Sequence, residues 1–510
     1  MTLTFKGIFA FAILATCLST YAENIAAKKG EDSSKAQGKS EAQEKPNILF
    51  IAFDDLRPLI GAYGEPEPIT PNLDAFANDA VRFNRSYVSY PLCNPSRASM
   101  LTGVRFDLVA ENWKDNKHQK LIEKQATWPS VLKDNGYWTA TKGKLYHGKV
   151  PKDDKSSWDI AGGGGKTKDG EAKVLKRIVE IGGRADQIQI YKENGAGPGS
   201  LMYASVDAPD NFLKDGQVAE SVIDYIKNKR DKNKPFMIVS GFSKPHMPWV
   251  APKKYFDMYP EDAGKLAYFP KGAKAAFDIS KYKSKTRNGL WNEGVDDKTA
   301  QKLIRGYMAS TSYADAQMGK VIQALKDEGL YESTIIIVWG DHGYHLTDHG
   351  LWRKNTPYHV SLRSPLMIKT PNTIGGTVVE NIVQNVDIYP TLMELTGAKL
   401  NDKIKLHGKS LVPLLSNKKS NKGLNKELNN EAAQDKVVEW ENIAHTAAVG
   451  SHGVVTDKYR FTIMEDGTRH LYDLQADPDE WNNLASNAKY KTMINDFEQK
   501  MSKVVWNKPQ

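Results

Sequence analysis

The chain has 510 residues, 40% hydrophobic and 26% charged, enough apolar material for one large domain plus a smaller one and too much for a disordered chain. Seventy basic residues against 61 acidic ones leave a net charge of +9, which suits a polyanionic ligand and equally the solubility charge of a large surface. Only two cysteines occur, which excludes a disulfide-stapled scaffold, and no nucleic-acid-binding motif is present.

Lys6 precedes an apolar run over residues 7–15 that is too short to span a bilayer, and Thr20-Tyr21-Ala22 offers a small-residue cleavage site. Residues 1–22 are therefore expected to be a secretory signal peptide. Its removal would leave an exported chain, periplasmic or secreted, with a charge of about +8 and no transmembrane segment. The alternative is a lipoprotein leader anchored through Cys17, although Thr16 before the cysteine fits that poorly. Residues 23–45 are mostly Lys, Glu, Ser, Gln and Ala, the composition of a flexible linker.

The fold is expected to begin at Pro46. Residues 47–53 form a near-continuous apolar run bounded by acids, the pattern of a central parallel strand covered on both faces. A helix is predicted over 70–83. A short helix is predicted over 95–103, framed by Pro95 near its start and Gly103 at its end, and its positive N-terminus would lie beside Cys93.

Strand-like runs at 236–239, 334–339 and 365–368 alternate with helical stretches at 217–230 and 299–330. This alternation predicts an α/β fold, a large mostly parallel sheet sandwiched by helices, with functional residues at the carboxyl ends of the strands. Residues 46–415 would make this large domain and 416–436 a linker or exposed loop. Residues 437–510 would make a C-terminal α+β subdomain, with antiparallel strands near 454–455, 459–463 and 470–474, a turn at 465–467 and a helix over 487–505. The glycines of 162–165, followed by Lys166-Thr167, imitate a phosphate-binding loop, but Ile160 stands where that motif needs its first glycine and no strand is predicted before them.

Chemistry concentrates at three places. Asp54 and Asp55 end the first strand, Asp341-His342-Gly343 follows the run 334–339, and Cys93 opens Cys93-Asn94-Pro95-Ser96-Arg97. Three acids and an imidazole make a mainly oxygen-donor set, suited to a hard divalent cation and to Ca²⁺ before any soft metal. Singly, Asp-Asp after a strand also reads as a solvated loop, Asp-His-Gly as a turn and Cys93 as a buried structural thiol. A cysteine near a helix N-terminus with Arg97 close by is instead set up for reactivity.

The pentapeptide and the acids, in this order, resemble the formylglycine-dependent type I sulfatases of the alkaline phosphatase-like superfamily. Lys144-Leu145-Tyr146-His147, Lys244-Pro245-His246-Met247-Pro248 and Lys354 extend the likeness. The Lys-x-x-His spacing, with Asp348-His349-Gly350 and Trp352, is most similar to the iduronate-2-sulfatase branch. The likeness runs from Pro46 to about Glu480, leaving 158–204 and 264–297 as unmatched insertions expected to shape the substrate pocket.

The resemblance implies that a formylglycine-generating or anaerobic sulfatase-maturating enzyme oxidises Cys93 to formylglycine (3-oxoalanine). It further implies one Ca²⁺ held by Asp54, Asp55, the modified Cys93, Asp341 and His342. Arg97 would stabilise the aldehyde hydrate, Lys144 and Lys354 would supply fixed positive charge, His246 would protonate the leaving oxygen and His147 would act as base. The implied substrate is a sulfated carbohydrate, either an algal glycan containing uronate or rhamnose, such as ulvan, or a glycosaminoglycan. Arg105, Trp113 and Trp249 are candidate sugar contacts. Two other functions stay open: a phosphatase or phosphodiesterase of the same fold, which would need Ser or Thr as nucleophile and a second metal site, and a non-catalytic polyanion-binding protein.

Overall fold

The strand Asn47–Asp54 shows why a sheet forms at the centre of the chain. Ile48, Phe50 and Ala52 point into one hydrophobic cluster, Leu49, Ile51 and Phe53 into another, and all six are buried. A strand with two dry faces must be covered by helices on both sides, and each of its large side chains contributes roughly 1.5–3 kcal/mol on burial. The structure, a computed structural model, describes residues 45–105, 122, 125–162, 203–271, 289–291, 295–415, 443–448 and 450–503.

Eight strands lie in the spatial order Thr377–Gln384, Val81–Tyr87, Leu366–Lys369, Thr334–Gly340, Asn47–Asp54, Phe236–Pro245, Trp138–Gly143 and Ile160–Ala161. Every pairing is parallel except those of Leu366–Lys369, which runs antiparallel to both neighbours. The expected mostly parallel sheet is thus present. The helices Lys214–Asp224, continued by a π-helical turn at Tyr225–Lys229, and Asp297–Asp327 cover one face. From Pro46 onward the chain forms one compact unit, in which the four-stranded antiparallel sheet Ala444–Ala448, Ser451–Val455, Tyr459–Met464 and Arg469–Asp473 is capped by the helix Lys491–Lys503.

Three local expectations are corrected. The helix predicted over 70–83 is confined to Pro71–Asp79; Ala80 is extended, and Val81 and Phe83 alternate inward on a strand with period two. The helix predicted from 95 begins at Cys93 and ends at Thr102. Gly103 then takes φ 67°, a left-handed conformation that favours glycine, and a Cβ there would also push the end of the Leu406 side chain, 2.6 Å away, out of place. A two-residue strand, Ile160–Ala161, does precede the glycine run. The leader, the linker 23–44, residues 416–436 and Trp113 lie outside the described residues. Among those described, no helix is long and apolar enough to cross a membrane.

Candidate active site

Four adjacent parallel strands deliver the site. Asn47–Asp54 ends at Asp54 and Asp55, and Thr334–Gly340, in register beside it, leads directly into Asp341 and His342. On the other side, Phe236–Pro245 leads to His246 and Trp138–Gly143 leads to Lys144 and His147. Parallel strands expose their carboxyl ends along one edge, so residues far apart in sequence converge there. Asp55 sits in the left-handed region at φ 65°, held by its own N–H on Asp341 Oδ1 at 2.9 Å and by the Tyr307 hydroxyl donating to its carbonyl at 2.9 Å. Such backbone strain in a non-glycine residue persists only where the surroundings enforce it.

Cys93 is the first residue of its helix and is buried. Around its sulfur lie Lys354 Nζ at 3.2 Å, His342 Nε2 at 3.4 Å and Asp55 Oδ1 at 3.8 Å, and His147 hydrogen-bonds to it from the exposed rim. Arg97, one turn along the helix, works underneath. Its Nε donates to Asp341 Oδ2 at 3.0 Å, and its terminal nitrogens reach Asp54 Oδ1 at 3.3 Å and the carbonyls of Lys144 and Leu145. Arg97 therefore fixes the carboxylates and the Lys144 loop rather than touching the sulfur. Lys144 pairs with Asp54 and Lys354 with Asp55.

The charges respond to this crowding. Burial opposes ionisation of Cys93, but Lys144, Lys354, His342 and the His147 hydrogen bond outweigh it and hold the thiol well below its ordinary range. Burial and the Cys93 charge also work against Asp54, yet Lys144, His246 and Arg97 keep it below the usual carboxylate range. Burial pushes Asp341 up to about 7 despite His342 and Arg97. His342 is equally buried, but the adjacent Asp341 carries it up to about 9.

Three carboxylates, Asp54, Asp55 and Asp341, face Arg97, Lys144 and Lys354, so the protein's own charges balance. The donor atoms of Asp55, Cys93, Asp341 and His342 all lie within 4.8 Å of one another, as do those of Asp54, Asp55, Cys93 and His246. Among the described residues Asp55 Oδ2 is buried with no hydrogen-bond partner, and its ion-pair partner, His246 Nε2, is 3.8 Å away. An orphaned carboxylate oxygen amid oxygen donors fits a hard divalent cation, whose charge would turn a neutral cluster into an anion-binding one.

Ten of the residues singled out in the sequence converge here: Asp54, Asp55, Cys93, Arg97, Lys144, His147, His246, Asp341, His342 and Lys354. Trp249 does not join them as a sugar contact. It is fully buried among Tyr307, Tyr344 and Trp352, and its Nε1 donates to the Pro245 carbonyl at 2.8 Å, so its ring supports the His246 turn from inside the core. Arg105 is buried beside His407, beyond the far end of the helix that starts at Cys93, about 15 Å along its axis.

Sequence reasoning missed the supports of the His246 turn. The Asp215 carboxylate accepts the Ser243 N–H at 2.9 Å and the Lys244 N–H at 2.8 Å, while Lys244 Nζ donates to the carbonyls of His246, at 3.1 Å, and Pro248. Burial brings Lys244 down to about 8, even with Asp215 opposite. The Lys-Pro-His-x-Pro string marked Lys244; nothing local marked Asp215.

Residues 46–398 match the family model described as "Sulfatase", and residues 347–507 the one described as "N-sulphoglucosamine sulphohydrolase, C-terminal". A "Sulfatase" from Formosa agariphila is 30% identical over 465 residues, covering 88% of this chain and 85% of that one. Iduronate 2-sulfatase from Mus musculus is 28% identical over 406 residues, 71% of each chain. The structure of BT4656 in complex with its substrate D-glucosamine-2-N,6-O-disulfate is alike in fold, with a TM-score of 0.64 at 21% identity over 90% of this chain and 97% of that one. The chain therefore belongs to the sulfatase family, with iduronate 2-sulfatases among its relatives, and is a sulfuric ester hydrolase.

Proposed function

We propose that this sulfatase is exported, to the periplasm or beyond the cell, and removes sulfate from a sulfated carbohydrate, using residue 93 as formylglycine and one Ca²⁺. The substrate we favour is a glycan rich in uronate or rhamnose, such as ulvan, or a glycosaminoglycan. The observation that carries the chemistry is Cys93 itself: buried, without a disulfide, and surrounded by Lys144, Lys354, His342 and His147. The relatives whose names or bound ligands specify a sugar support the substrate class.

As an aldehyde hydrate, residue 93 would supply two hydroxyls on one carbon, one to attack sulfur and one to expel sulfate afterwards. A Ca²⁺ on Asp54, Asp55, Asp341, His342 and residue 93 would supply Lewis-acid polarisation of a sulfuryl oxygen. The rest falls to the chain's own groups. Lys144 and Lys354 hold fixed positive charge against the oxygens of the sulfuryl group and the bridging oxygen as it takes electrons. Arg97 keeps Asp54 and Asp341 in place without facing the substrate.

His246 is one-third exposed, with Nδ1 2.6 Å from the Met247 carbonyl. A proton on Nδ1 is committed to that carbonyl, so Nε2 can donate to the leaving alcohol only when the ring carries both protons. His147, hydrogen-bonded to residue 93 from the rim, is placed to take the proton of the second hydroxyl. A phosphatase of this fold would need Ser or Thr at 93 and a second metal centre, whereas both donor groups here share Asp55 and Cys93.

The test is peptide mass spectrometry across residue 93 on protein co-produced with a formylglycine-generating enzyme, with sulfate release measured on heparin- and ulvan-derived oligosaccharides. The expected result is aldehyde at 93, sulfate release, and no turnover by Cys93→Ser in a host whose maturation enzyme ignores serine. Unmodified thiol with no sulfate released would favour polyanion binding, and full activity without modification would overturn the mechanism.

A further inference from the structure

A second cavity, of about 240 Å³, opens between the large domain and the loop 478–481 of the small one. None of the ten converging residues lines it. It is nevertheless close to them: Arg57, on its wall, follows Asp55 by two residues and so stands within about 8 Å of it, Cα to Cα. Arg57 is not a spare charge, because Asp348 binds its Nη1 at 2.8 Å.

Tyr268 and Trp481 bring aromatic rings to the lining. Tyr268 is 70% exposed, and Phe269, next to it in sequence and just outside the lining, is 47% exposed. Phe269 meets Trp481 edge-on at 4.8 Å between ring centroids, and Trp481 lies 4.4 Å from His349. Adjacent exposed rings at the mouth of a polar cavity mark a surface that a ligand covers.

Two polar atoms there lack partners among the described residues. His349 is 4% exposed and neutral, burial pushing it down to about 3; it bonds the Asp479 backbone through one nitrogen, and Nδ1 has nothing. Nε1 of Trp481, which can only donate, is also buried and unmatched. A buried acceptor and a buried donor side by side call for groups that both give and take a hydrogen bond, as a hydroxyl does.

Charge narrows the ligand. Of the charged lining, Asp348 is paired with Arg57 and Glu480 with the buried Arg460, which leaves Glu65 and Asp479 against Arg363. That balance offers a sulfate or carboxylate no net attraction. A pyranose with free hydroxyls would cover the rings with its C–H face and meet His349 and Trp481 with its hydroxyls.

We propose that this cavity is a remote subsite for a neutral, unsulfated sugar ring of the glycan whose sulfate is removed at Cys93. The identity of the glycan rests on the sulfated-carbohydrate reading above; the cavity's preference for a neutral hydroxylated ring does not. The subsite would make the enzyme read its substrate beyond the sulfated residue and favour oligosaccharides over single sugars.

Calorimetric titration of the full chain with neutral hexasaccharides, prepared from ulvan and heparin by desulfation, N-acetylation of the freed amines and carboxyl reduction, tests the subsite without turnover. Binding to the wild type should weaken about tenfold in Tyr268→Ala, which loses only an exposed ring, and at least as much in Trp481→Ala. The ratio of kcat/KM for sulfated hexasaccharide over disaccharide should fall in step. Failure of every neutral hexasaccharide to bind the wild type, or equal binding by both variants, overturns the subsite even if sulfate is released. Neutral binding with no sulfate release from any sugar upholds the subsite and overturns the substrate reading instead.

Discussion

Arg97 under the candidate active site and Arg460 in the C-terminal antiparallel sheet are both about 1% exposed, and both are ion-paired to carboxylates. Each also has a partner or neighbour in the left-handed region, Asp55 at φ 65° and Glu480 at φ 57°. Around Arg460 the bonds close. Glu480 takes Arg460 Nε on one oxygen and the His359 N–H at 2.7 Å on the other, Arg460 Nη1 donates to Thr462 at 2.6 Å, and the Tyr472 ring covers the guanidinium at 4.9 Å. Around Arg97 they do not, because Asp55 Oδ2 is left without a donor and the Cys93 sulfur collects positive charge from three sides. A buried ion pair alone is weak evidence of function. What separates the two centres is the capacity left open on the carboxylates themselves: among the described residues one oxygen of Asp55 has no hydrogen-bond partner, whereas both oxygens of Glu480 are taken.

The comparison breaks most visibly by removing the arginines. Arg97→Met and Arg460→Met each leave buried carboxylate without its cation, at a cost of about 3–5 kcal/mol, so both should show a clearly lowered denaturation midpoint. Their activities should diverge. At a temperature where both remain folded, Arg97→Met should lose about a hundredfold or more in kcat, because Asp54, Asp341 and the Lys144 loop all shift, while Arg460→Met should keep kcat near wild type. Equal losses of kcat in folded protein would mean that the small domain's ion pair shapes the site after all.

Acid sharpens the same contrast. Burial lowers His345 from 6.5 to about 4 and His349 from 6.5 to about 3, and both lie under the small domain's side of the molecule, with His349 against Trp481. A histidine kept neutral in the fold is protonated first in the unfolded chain, so the stability it contributes is fully present above pH 6.5 and is lost as pH falls towards 4. Each group should cost on the order of 1 kcal/mol per pH unit across that window. The unfolding midpoint should therefore drop between pH 6.5 and 4.5, and His349→Gln should flatten the slope. A midpoint independent of pH would show that the two rings accept a proton in place.

The acids of the candidate site were legible because they close apolar runs: Asp54 comes right after 47–53, and Asp341 one glycine after 334–339. The fold physics that buries such a run also dictates where its end lies. Other features are settled by partners that no local pattern reveals. Ala444–Ala448 carries three alanines and no Val or Ile, and it is a strand only because Ser451–Val455 pairs with it. Val81 and Phe83 fit a helical spacing until the sheet imposes period two. Trp249 adjoins a motif at the site, yet its indole turns inward to the Pro245 carbonyl.

Asp215 is the least legible of these and gives the smallest expected effect. It lies 28 and 29 residues from the two N–H groups it accepts, and burial raises it above the ordinary carboxylate range even though those bonds pull the other way. Asp215→Asn keeps one oxygen acceptor and replaces the other with an amide that faces an N–H, so one of the two anchors of the Ser243–Lys244 backbone is lost. His246, just beyond, should then sample more positions. If His246 donates the proton to the leaving alcohol, kcat on a sugar sulfate should fall by about threefold to tenfold, with KM nearly unchanged. Hydrolysis of 4-nitrophenyl sulfate should be much less affected, because a nitrophenolate departs without a proton. An equal drop on both esters would mean that Asp215 supports the general shape of the pocket rather than the aim of His246.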